Sequence, residues 1–409
     1  MSGRREPAGR RRPAVGRAAV LLAGGLIATT ALAQPPNDSP HRAPPVQPVR
    51  LEHGSALAPF HRRLTALARG EADRVRVLHW GDSNVAAGLF PSVAREALQA
   101  RYGDGGDGYL LPRGHGSWPR GEVRISTSGR WASRRRGFGN DFGPSDGLWG
   151  LAGVAVEPVT PGASIRLRIP PDDGPRRIEV HLLARRIPGA VEVEVDRVDV
   201  TRVRSAGARQ RLRRSRFELD RRQHRVVVRH AEGRPRLLGV VVERERGVTY
   251  DVLGINGHRA SAILHWDPQL LEEQLQGRLP HLVVLSYGGN EALDPLLSME
   301  RYEEQLRAAV GKVRDLTPGA ACLLVGPFPS CQEHGPRMAE VTEVQRRVAP
   351  EAGCAFWDPS MLAGGHGRLC RTWGRFGGMV SADRLHLGPD GYRVVGRQFV
   401  RALLPPGTP

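Results

Sequence analysis

The sequence of 409 residues contains a single lysine, Lys312, although lysine and arginine together number 60. Arginine therefore carries almost all of the positive charge, and the formal net charge is +18. A positive net charge of this size is compatible with binding to nucleic acid or to an anionic surface. However, aromatic residues make up only 5% of the chain and do not interleave with the arginine runs, so no nucleic-acid surface is expected. A solvated arginine-rich face remains, or attraction to an anionic polymer of the cell envelope.

Cysteine is also scarce, with four residues. Their spacing contains no Cys-x-x-Cys pair and no neighbouring histidine pair, which argues against a zinc site. Four cysteines allow three pairings, and the sequence does not choose among them. Cys331 and Cys370 lie in loop-like sequence and are better placed for a bridge, whereas Cys322 and Cys354 lie in apolar strand-like runs and are compatible with buried thiols.

No stable membrane span is expected, because the apolar stretch at residues 18–32 is short and interrupted by glycine. Six arginines precede it, and it ends at Ala31-Leu32-Ala33, a small-x-small cleavage pattern. This arrangement predicts a secretory signal peptide over residues 1–33, with an uncleaved anchor as the alternative. The protein is therefore expected in the periplasm, the cell envelope or the extracellular space, where disulfides are permitted.

The remaining chain divides by its hydrophobic pattern. Six prolines between residues 34 and 52 predict a stiff, disordered linker. Apolar strand-like runs alternate with amphipathic helices in residues 53–113 and again in 247–409, which is typical of a parallel sheet covered by helices. Residues 114–246 show only short alternating strands, such as Ala190–Val195, between Pro/Gly/Asp clusters. The sequence predicts an α/β domain that an all-β sandwich or jelly roll interrupts.

Polar turns follow three of the predicted parallel strands, and a fourth polar segment precedes the last helix. These four segments are Gly81-Asp82-Ser83, Gly254–Gly257, Gly288–Glu291 and Ser381–His386. Since the carboxyl ends of parallel strands meet at one edge of the sheet, the segments are expected to lie together. An aspartate three residues before a histidine, as in Asp383 and His386, can orient the imidazole so that its other nitrogen acts as a base toward Ser83.

In this order the segments resemble the SGNH (GDSL-type) hydrolase family, over about residues 75–108 and 250–404. The resemblance implies a flavodoxin-like parallel sheet and a serine hydrolase that uses no metal and no cofactor. Carried over by position, Ser83 is the nucleophile, His386 the general base and acid, and Asp383 the residue that orients the histidine.

The resemblance also implies an oxyanion hole. Its donors would be the backbone N–H groups of Ser83 and Gly257 and the side-chain amide of Asn290. The match is not complete at two positions. Glu291 stands where the family usually has aspartate. The glycine of the second family segment can be aligned with Gly254 or with Gly257, and Gly257 is chosen.

A narrower resemblance connects the chain to exported peptidoglycan O-acetylesterases that carry an inserted carbohydrate-binding-like domain. It depends on the order of the domains and on three short segments, Gly254-Ile255-Asn256-Gly257, Phe356-Trp357-Asp358 and Gly364-Gly365. The expected function is removal of O-acetyl groups from an envelope glycan through an acyl-enzyme, with an acetylated cell-wall polymer as partner. The alternatives are an O-acetyltransferase that uses the same triad and a non-catalytic glycan-binding protein.

Two further features have ordinary structural interpretations. Ser145, in Gly143-Pro144-Ser145-Asp146-Gly147, matches the nucleophile elbow of another hydrolase fold, but loop-like sequence on both sides predicts a simple turn. Trp118, Trp131 and Trp149 could stack on sugar rings, although core aromatics are the commoner explanation.

Overall fold

The structure is a computed structural model, and it describes residues 44–111, 121–135, 146–331 and 335–405. The α-helices within these residues are α1 (Ala58–Ala68), α2 (Ser83–Ala86), α3 (Leu89–Tyr102), α4 (Pro268–Arg278), α5 (Gly289–Ala292), α6 (Met299–Leu316), α7 (Gly335–Glu351), α8 (Leu369–Thr372) and α9 (Pro389–Leu403). Short 3₁₀ helices span Gly54–Leu57, Ala260–His265 and Pro359–Ala363. The predicted signal peptide, Trp118 and Ser145 lie outside the described residues.

The strands are β1 (Arg74–Gly81), β2 (Gly108–Leu110), β3 (Arg124–Ser128), β4 (Trp131–Arg135), β5 (Val154–Pro158), β6 (Ser164–Ile169), β7 (Arg176–Ala184), β8 (Gly189–Val195), β9 (Asp199–Arg204), β10 (Arg211–Leu219), β11 (His224–Gly233), β12 (Leu237–Arg244), β13 (Gly247–Gly254), β14 (Leu282–Ser286), β15 (Ala321–Val325) and β16 (Ala355–Trp357).

Five strands form a parallel sheet in the spatial order β13-β1-β14-β15-β16. Numbered along the chain, this order is 2-1-3-4-5, which is the flavodoxin-like order that the resemblance implied. Along β1, Leu78 and Trp80 enter one hydrophobic cluster whereas Val75 and Val77 enter another, because helices cover both faces of the sheet. The strand order reverses at β1, so the turn after this strand lies at the topological switch point where α/β proteins bind their ligands.

The β-rich part forms two antiparallel sheets, β10-β7-β12-β5-β4 with β2 also paired to β12, and β3-β6-β11-β8-β9. Alternate residues of both sheets, among them Val180, Leu167 and Val228, share one buried cluster. This packing makes a β-sandwich. The predicted fold class, a parallel α/β sheet with separate antiparallel sheets, is confirmed.

The chain enters the sandwich earlier than predicted. Strand β2, which lies before the expected boundary at residue 113, pairs with Val240–Val242 of β12. The N–H of Tyr109 also donates to Asp251 Oδ1 at 2.8 Å, which anchors β2 beside β13. Three residues are too few to show an alternating pattern, so the sequence did not separate β2 from the preceding unit.

The predicted linker also differs from the structure. Residues 44–52 lie against the rest of the chain instead of forming a free spacer. Glu52 exchanges backbone hydrogen bonds with Phe356 at 2.9 and 3.0 Å, and Trp373 Nε1 donates to the carbonyl of Pro45 at 3.0 Å. Proline favours extended backbone, which can lie along a surface as well as span a gap. Residues 34–43 lie outside the described part of the chain.

Both pairs of cysteines form disulfides. The bridge between Cys331 and Cys370 is the one that loop-like sequence favoured. The prediction of buried thiols at Cys322 and Cys354 is wrong, because they form the second bridge, with Cα atoms 4.5 Å apart. Strands β15 and β16 are neighbours in the sheet, and this adjacency brings the two cysteines together.

Candidate active site

Ser83 lies directly after strand β1, at the first position of the short helix α2. Asp82 precedes the helix in extended conformation, and its carboxylate accepts the backbone N–H of Asn84 at 2.9 Å. This contact is a helix N-cap, which fixes the direction in which the chain turns away from the sheet. Ser83 is half-buried at the carboxyl edge of the sheet.

Two glycines let the neighbouring strands approach this turn closely. A Cβ atom on Gly81 would lie 2.2 Å from Val85 Cγ2 and 2.6 Å from the carbonyl oxygen of Ser286. A Cβ atom on Gly254 would lie 2.2 Å from the backbone nitrogen of Ala86. Side chains at either position would therefore push α2 off the sheet edge, and the turn could not keep its present position.

A chain of hydrogen bonds joins the predicted residues. The distance between Ser83 Oγ and His386 Nε2 is 2.8 Å, and the distance between His386 Nδ1 and Asp383 Oδ2 is 2.7 Å. Asp383 Oδ1 also accepts the backbone N–H groups of Leu385 and His386, both at 2.9 Å. Burial alone would raise the pKa of Asp383, but the hydrogen bonds from His386 and Leu385 outweigh it and lower the pKa to about 2.

The ionised Asp383 determines the tautomer of His386. A carboxylate can only accept, so Nδ1 of the imidazole must donate to it. In the neutral ring Nε2 is then the unprotonated nitrogen, and it faces the Ser83 hydroxyl as an acceptor. This arrangement can remove the proton from the serine as its oxygen attacks an electrophile.

The segment that carries Asp383 and His386 is hydrogen-bonded to one cysteine of a disulfide. Between them, Arg384 has a positive φ of 58°, and its carbonyl accepts the backbone N–H of Cys331 at 2.9 Å. Cys331 is itself bridged to Cys370. The hydrogen bond ties the histidine segment to the loop after β15, and the disulfide ties that loop to α8.

The sequence did not identify a second group of contacts behind the serine. The hydroxyl of Tyr392 donates to Asn84 Oδ1 at 2.7 Å, and Asn84 Nδ2 donates to Asp82 Oδ1 at 3.1 Å. These bonds connect helix α9 to the Ser83 turn. Tyr392 falls on the apolar face of the last helix in the sequence pattern, so nothing there signals a role for its hydroxyl. Asn84 had one signal, its place directly after the serine.

The other two predicted residues are also adjacent to one another. Gly257 lies in the turn after β13 with a positive φ of 76°. Asn290 Nδ2 donates to the carbonyl of His258, the residue after Gly257, at 2.8 Å. The amide group has a second N–H, which is available for another acceptor. The structure therefore brings the turn of Gly257 and the side chain of Asn290 together.

Glu291 holds in place the backbone that follows strand β13 and the turn that follows strand β14. Its side chain is buried, and its two oxygens accept the backbone N–H groups of Ala260 at 2.9 Å and Gly288 at 3.0 Å. Burial raises its pKa to about 7, and burial likewise raises the pKa of Asp82 to about 6. The departure from aspartate thus supplies a longer carboxylate that reaches both turns.

We expect Glu291→Gln to change how stability depends on pH. Because the folded pKa of Glu291 lies above its ordinary value near 4.5, its contribution to stability is complete below pH 4.5 and is lost as the pH rises through about 7. The glutamine cannot ionise, but it leaves one N–H unpaired, which costs about 1–3 kcal/mol. The free-energy advantage of the wild type should therefore shrink between pH 5 and pH 8 in urea unfolding. A constant difference across this range would contradict the assignment.

The described residues contain neither a metal site nor an exposed stacking platform. No three His, Cys, Asp or Glu side chains in the described ranges could hold a metal ion together. Trp131 and Trp149 are 5% and 3% exposed, so both are core residues. No helix in the same ranges is long and apolar enough to cross a membrane.

Comparison with known proteins agrees with this fold. Residues 206–394 match the model of the GDSL-like lipase/acylhydrolase family. The matched span contains Gly257, Asn290, Asp383 and His386, and it begins after Ser83. A comparison with the curated proteins finds no match.

Solved structures give a further comparison. One described as "Peptidoglycan O-acetylesterase in action, 5 min" superposes with a TM-score of 0.71 at 24% identity, over 86% of this chain and 97% of that chain. A family two carbohydrate esterase from Cellvibrio japonicus has a TM-score of only 0.28 at 11% identity, over 69% and 97% of the two chains.

A flavodoxin-like sheet with these polar segments at its carboxyl edge defines a hydrolase of the SGNH type. Over residues 206–394 the chain is similar to the GDSL-like lipase/acylhydrolase family, and its fold and family match support an SGNH esterase.

Proposed function

We propose that the protein is an exported serine esterase that removes O-acetyl groups from an envelope glycan, in particular from peptidoglycan. The observation that carries this proposal is the chain of hydrogen bonds from Ser83 through His386 to Asp383 at the switch point of the sheet. The fold of a structure named as a peptidoglycan O-acetylesterase supports the choice of substrate. Two disulfides are compatible with export.

The mechanism follows from the donors and acceptors in the site. Ser83 Oγ attacks the carbonyl carbon of the acetyl ester while His386 Nε2 takes its proton, and Asp383 stabilises the resulting imidazolium. The same proton then passes to the departing sugar oxygen as the tetrahedral intermediate collapses. Water, deprotonated by His386, attacks the acetyl-serine, and the imidazolium returns that proton to Ser83 Oγ as the ester bond breaks and acetate leaves. Through both halves of the reaction, negative charge develops on the carbonyl oxygen.

The backbone N–H groups of Ser83 and Gly257 and the second N–H of Asn290 would stabilise that charge. We expect Asn290→Ala to lower kcat on a small acetyl ester by about 10²–10³-fold, the usual effect of losing one oxyanion donor. The hydrogen bond to His258 is also lost, which should reduce stability by about 0.5–1.5 kcal/mol. Steady-state kinetics and thermal melting measure the two effects separately. A fall in melting temperature with unchanged kcat would make Asn290 a purely structural residue.

The substrate is tested by comparing three acetyl donors. Acetate release would be measured from O-acetylated peptidoglycan, O-acetylated xylan and a small acetyl ester, with Ser83→Ala protein as the blank. We expect the highest kcat/KM on peptidoglycan. A higher kcat/KM on xylan would support esterase activity but contradict peptidoglycan as the substrate.

An O-acetyltransferase is the second candidate, because a sugar hydroxyl could replace water in the attack on the acetyl-serine. Adding a soluble glycan acceptor to the same assay distinguishes the two. An esterase releases acetate at the same rate with or without the acceptor, whereas a transferase forms acetylated acceptor and releases less acetate.

A further inference from the structure

One outer face of the sandwich aligns arginines from neighbouring strands. In the sheet β3-β6-β11-β8-β9, Arg124 lies directly opposite Arg168, and Arg168 lies directly opposite Arg225. Their neighbours Ile125, Leu167 and Val226 form the next cross-strand row. Since successive residues of a strand point to opposite faces, these three arginines share the face that looks away from the core. Like charges placed opposite one another repel, so such a row is unfavourable unless an anion compensates it.

Carboxylates neutralise the arginines on one part of this face and leave those on another part without an ion pair among the described residues. Arg225 pairs with Glu194 at 2.6 Å, and Arg202 pairs with Glu192 at 3.4 Å, so the strands β11, β8 and β9 are balanced. Strands β3 and β6 are not. We define the arginine patch as Arg124, Arg166 and Arg168, all of which are exposed. Within the described residues, no carboxylate forms an ion pair with any of the three.

The arginine patch is continuous with a cleft near the Ser83 turn. Arg124 is also a wall of this cleft, which has a volume of about 910 Å³ and runs between α3, α9 and the start of β3. Its opposite walls include Gly88, at the end of the Ser83 turn, and Arg397 on the helix that follows His386. Three of its acidic residues, Asp104, Asp107 and Glu122, are countered by neighbouring arginines within the described residues. Arg124 and Arg397 therefore bring positive charge to this cleft, which also contains the exposed Glu96.

We propose that the arginine patch binds carboxylate groups of the polymeric substrate, so that the enzyme prefers a glycan bearing anionic substituents. This proposal rests on the proposed function and specifies its substrate class. A guanidinium group presents a planar pair of donors that matches a carboxylate. The described part of the sandwich has no exposed tryptophan, tyrosine or phenylalanine, so charge is the feature that its outer face offers to a glycan.

The same face argues for separate carboxylates over a continuous polyanion. Glu192, Glu194 and Glu232 pair with arginines in its other half, so much of the positive charge there is already neutralised and a nucleic acid laid across the sheet would gain little from it. The described part of the sandwich also has no exposed aromatic side chain on which bases could stack. A glycan with carboxylates at intervals can engage β3 and β6 without contacting the paired half.

The test compares binding of the full protein to peptidoglycan sacculi before and after amidation of their carboxylates. The variant is Arg124→Gln/Arg166→Gln/Arg168→Gln. Its matched control, Arg62→Gln/Arg69→Gln/Arg301→Gln, removes the same charge from exposed positions on α1, at its C-cap and on α6. Cosedimentation at 50 and 300 mM NaCl gives the affinity, and turnover of a small acetyl ester reports an intact active site.

We expect the patch variant to bind untreated sacculi at least ten-fold more weakly than the wild type, with ester turnover within two-fold. The control variant should bind within two-fold of wild type. Amidation or high salt should weaken the wild type and leave the patch variant almost unchanged. Equal binding of wild type and patch variant would overturn the proposal, and so would a patch-dependent affinity for anionic phospholipid vesicles or duplex DNA without one for sacculi. Carboxylate-dependent binding to sacculi without release of acetate would support the role of the arginine patch in binding, and it would contradict peptidoglycan as the substrate of the esterase.

Discussion

Replacing Ser83 with alanine is expected to lower kcat on a small acetyl ester by about 10⁴–10⁶-fold, the range seen when a serine hydrolase loses its nucleophile. The hydroxyl is half-buried, and its hydrogen bond joins His386 Nε2 at 2.8 Å. The substitution removes this bond and the attacking oxygen, but it leaves the Asp82 cap and the turn glycines in place. We therefore expect the melting temperature to stay within about 2 °C of wild type for a change of a few tenths of a kcal/mol.

The matched control is Ser55→Ala, which alters an exposed serine in the 3₁₀ helix before α1. It should keep full activity. His386→Ala should be as inactive as Ser83→Ala, and the double variant should be no worse, because residues that act as a unit do not contribute additively. Turnover by Ser83→Ala within ten-fold of wild type would assign the reaction to another nucleophile.

The sequence predicted the contacts of Ser83 because the chemistry lies where strands end. A parallel strand brings its carboxyl-end residues to one sheet edge whatever the length of the intervening chain. His386 lies in the segment before α9, and it is adjacent to Ser83 even though the entire sandwich lies between them in sequence. The same logic placed Asn290 beside the turn of Gly257.

Other contacts depend on which strands are neighbours, and no local pattern encodes that order. Cys322 and Cys354 looked like buried thiols because each lies in an apolar run. They are bridged because β15 and β16 are adjacent. In the same way, the hydroxyl of Tyr392 reaches Asn84 only because α9 packs beside the Ser83 turn.

The sandwich is more closely joined to the parallel sheet than its all-β sequence suggested. Leu183, Leu238 and Leu253 share one buried cluster, so sandwich strands β7 and β12 pack into the same core as β13. Trp80 of β1 also donates its indole N–H to the carbonyl of Leu151 at 2.7 Å. Removing the sandwich would expose this core, so deletion cannot separate glycan binding from folding.

A buried cluster of charged side chains lies at this junction, and its loss is expected to destabilise the protein strongly. Arg278 at the end of α4 donates to Asp251 Oδ1 of β13 at 2.9 Å and to Glu243 Oε1 of β12 at 2.6 Å. The side chains are 4%, 0% and 7% exposed. Burial would raise the pKa of Glu243, but Arg278 and Arg76 lower it to about 2, so the cluster holds charged groups away from water.

We expect Arg278→Met to reduce the free energy of unfolding by about 3–5 kcal/mol, the usual cost of removing one partner from a buried ion pair. Glu243 retains two hydrogen bonds from Arg76, at 3.0 and 3.1 Å, whereas among the described residues Asp251 keeps only the N–H of Tyr109 as a donor from outside the pair. The orphaned charge is therefore that of Asp251. Urea unfolding measures the loss, and Arg69→Met on the exposed end of α1 serves as the control, with an expected change below about 0.5 kcal/mol.

The pH dependence of this loss identifies its cause. Without Arg278, burial should raise the pKa of Asp251 further. When the pKa of a group is higher in the folded than in the unfolded protein, the free energy of unfolding falls as the pH increases. The deficit of Arg278→Met should therefore be smaller at pH 5 than at pH 8, and adding Asp251→Asn should recover part of it at pH 8. A deficit that is the same at both pH values, and that Asp251→Asn does not relieve, would mean that lost packing of the arginine stem outweighs the orphaned charge.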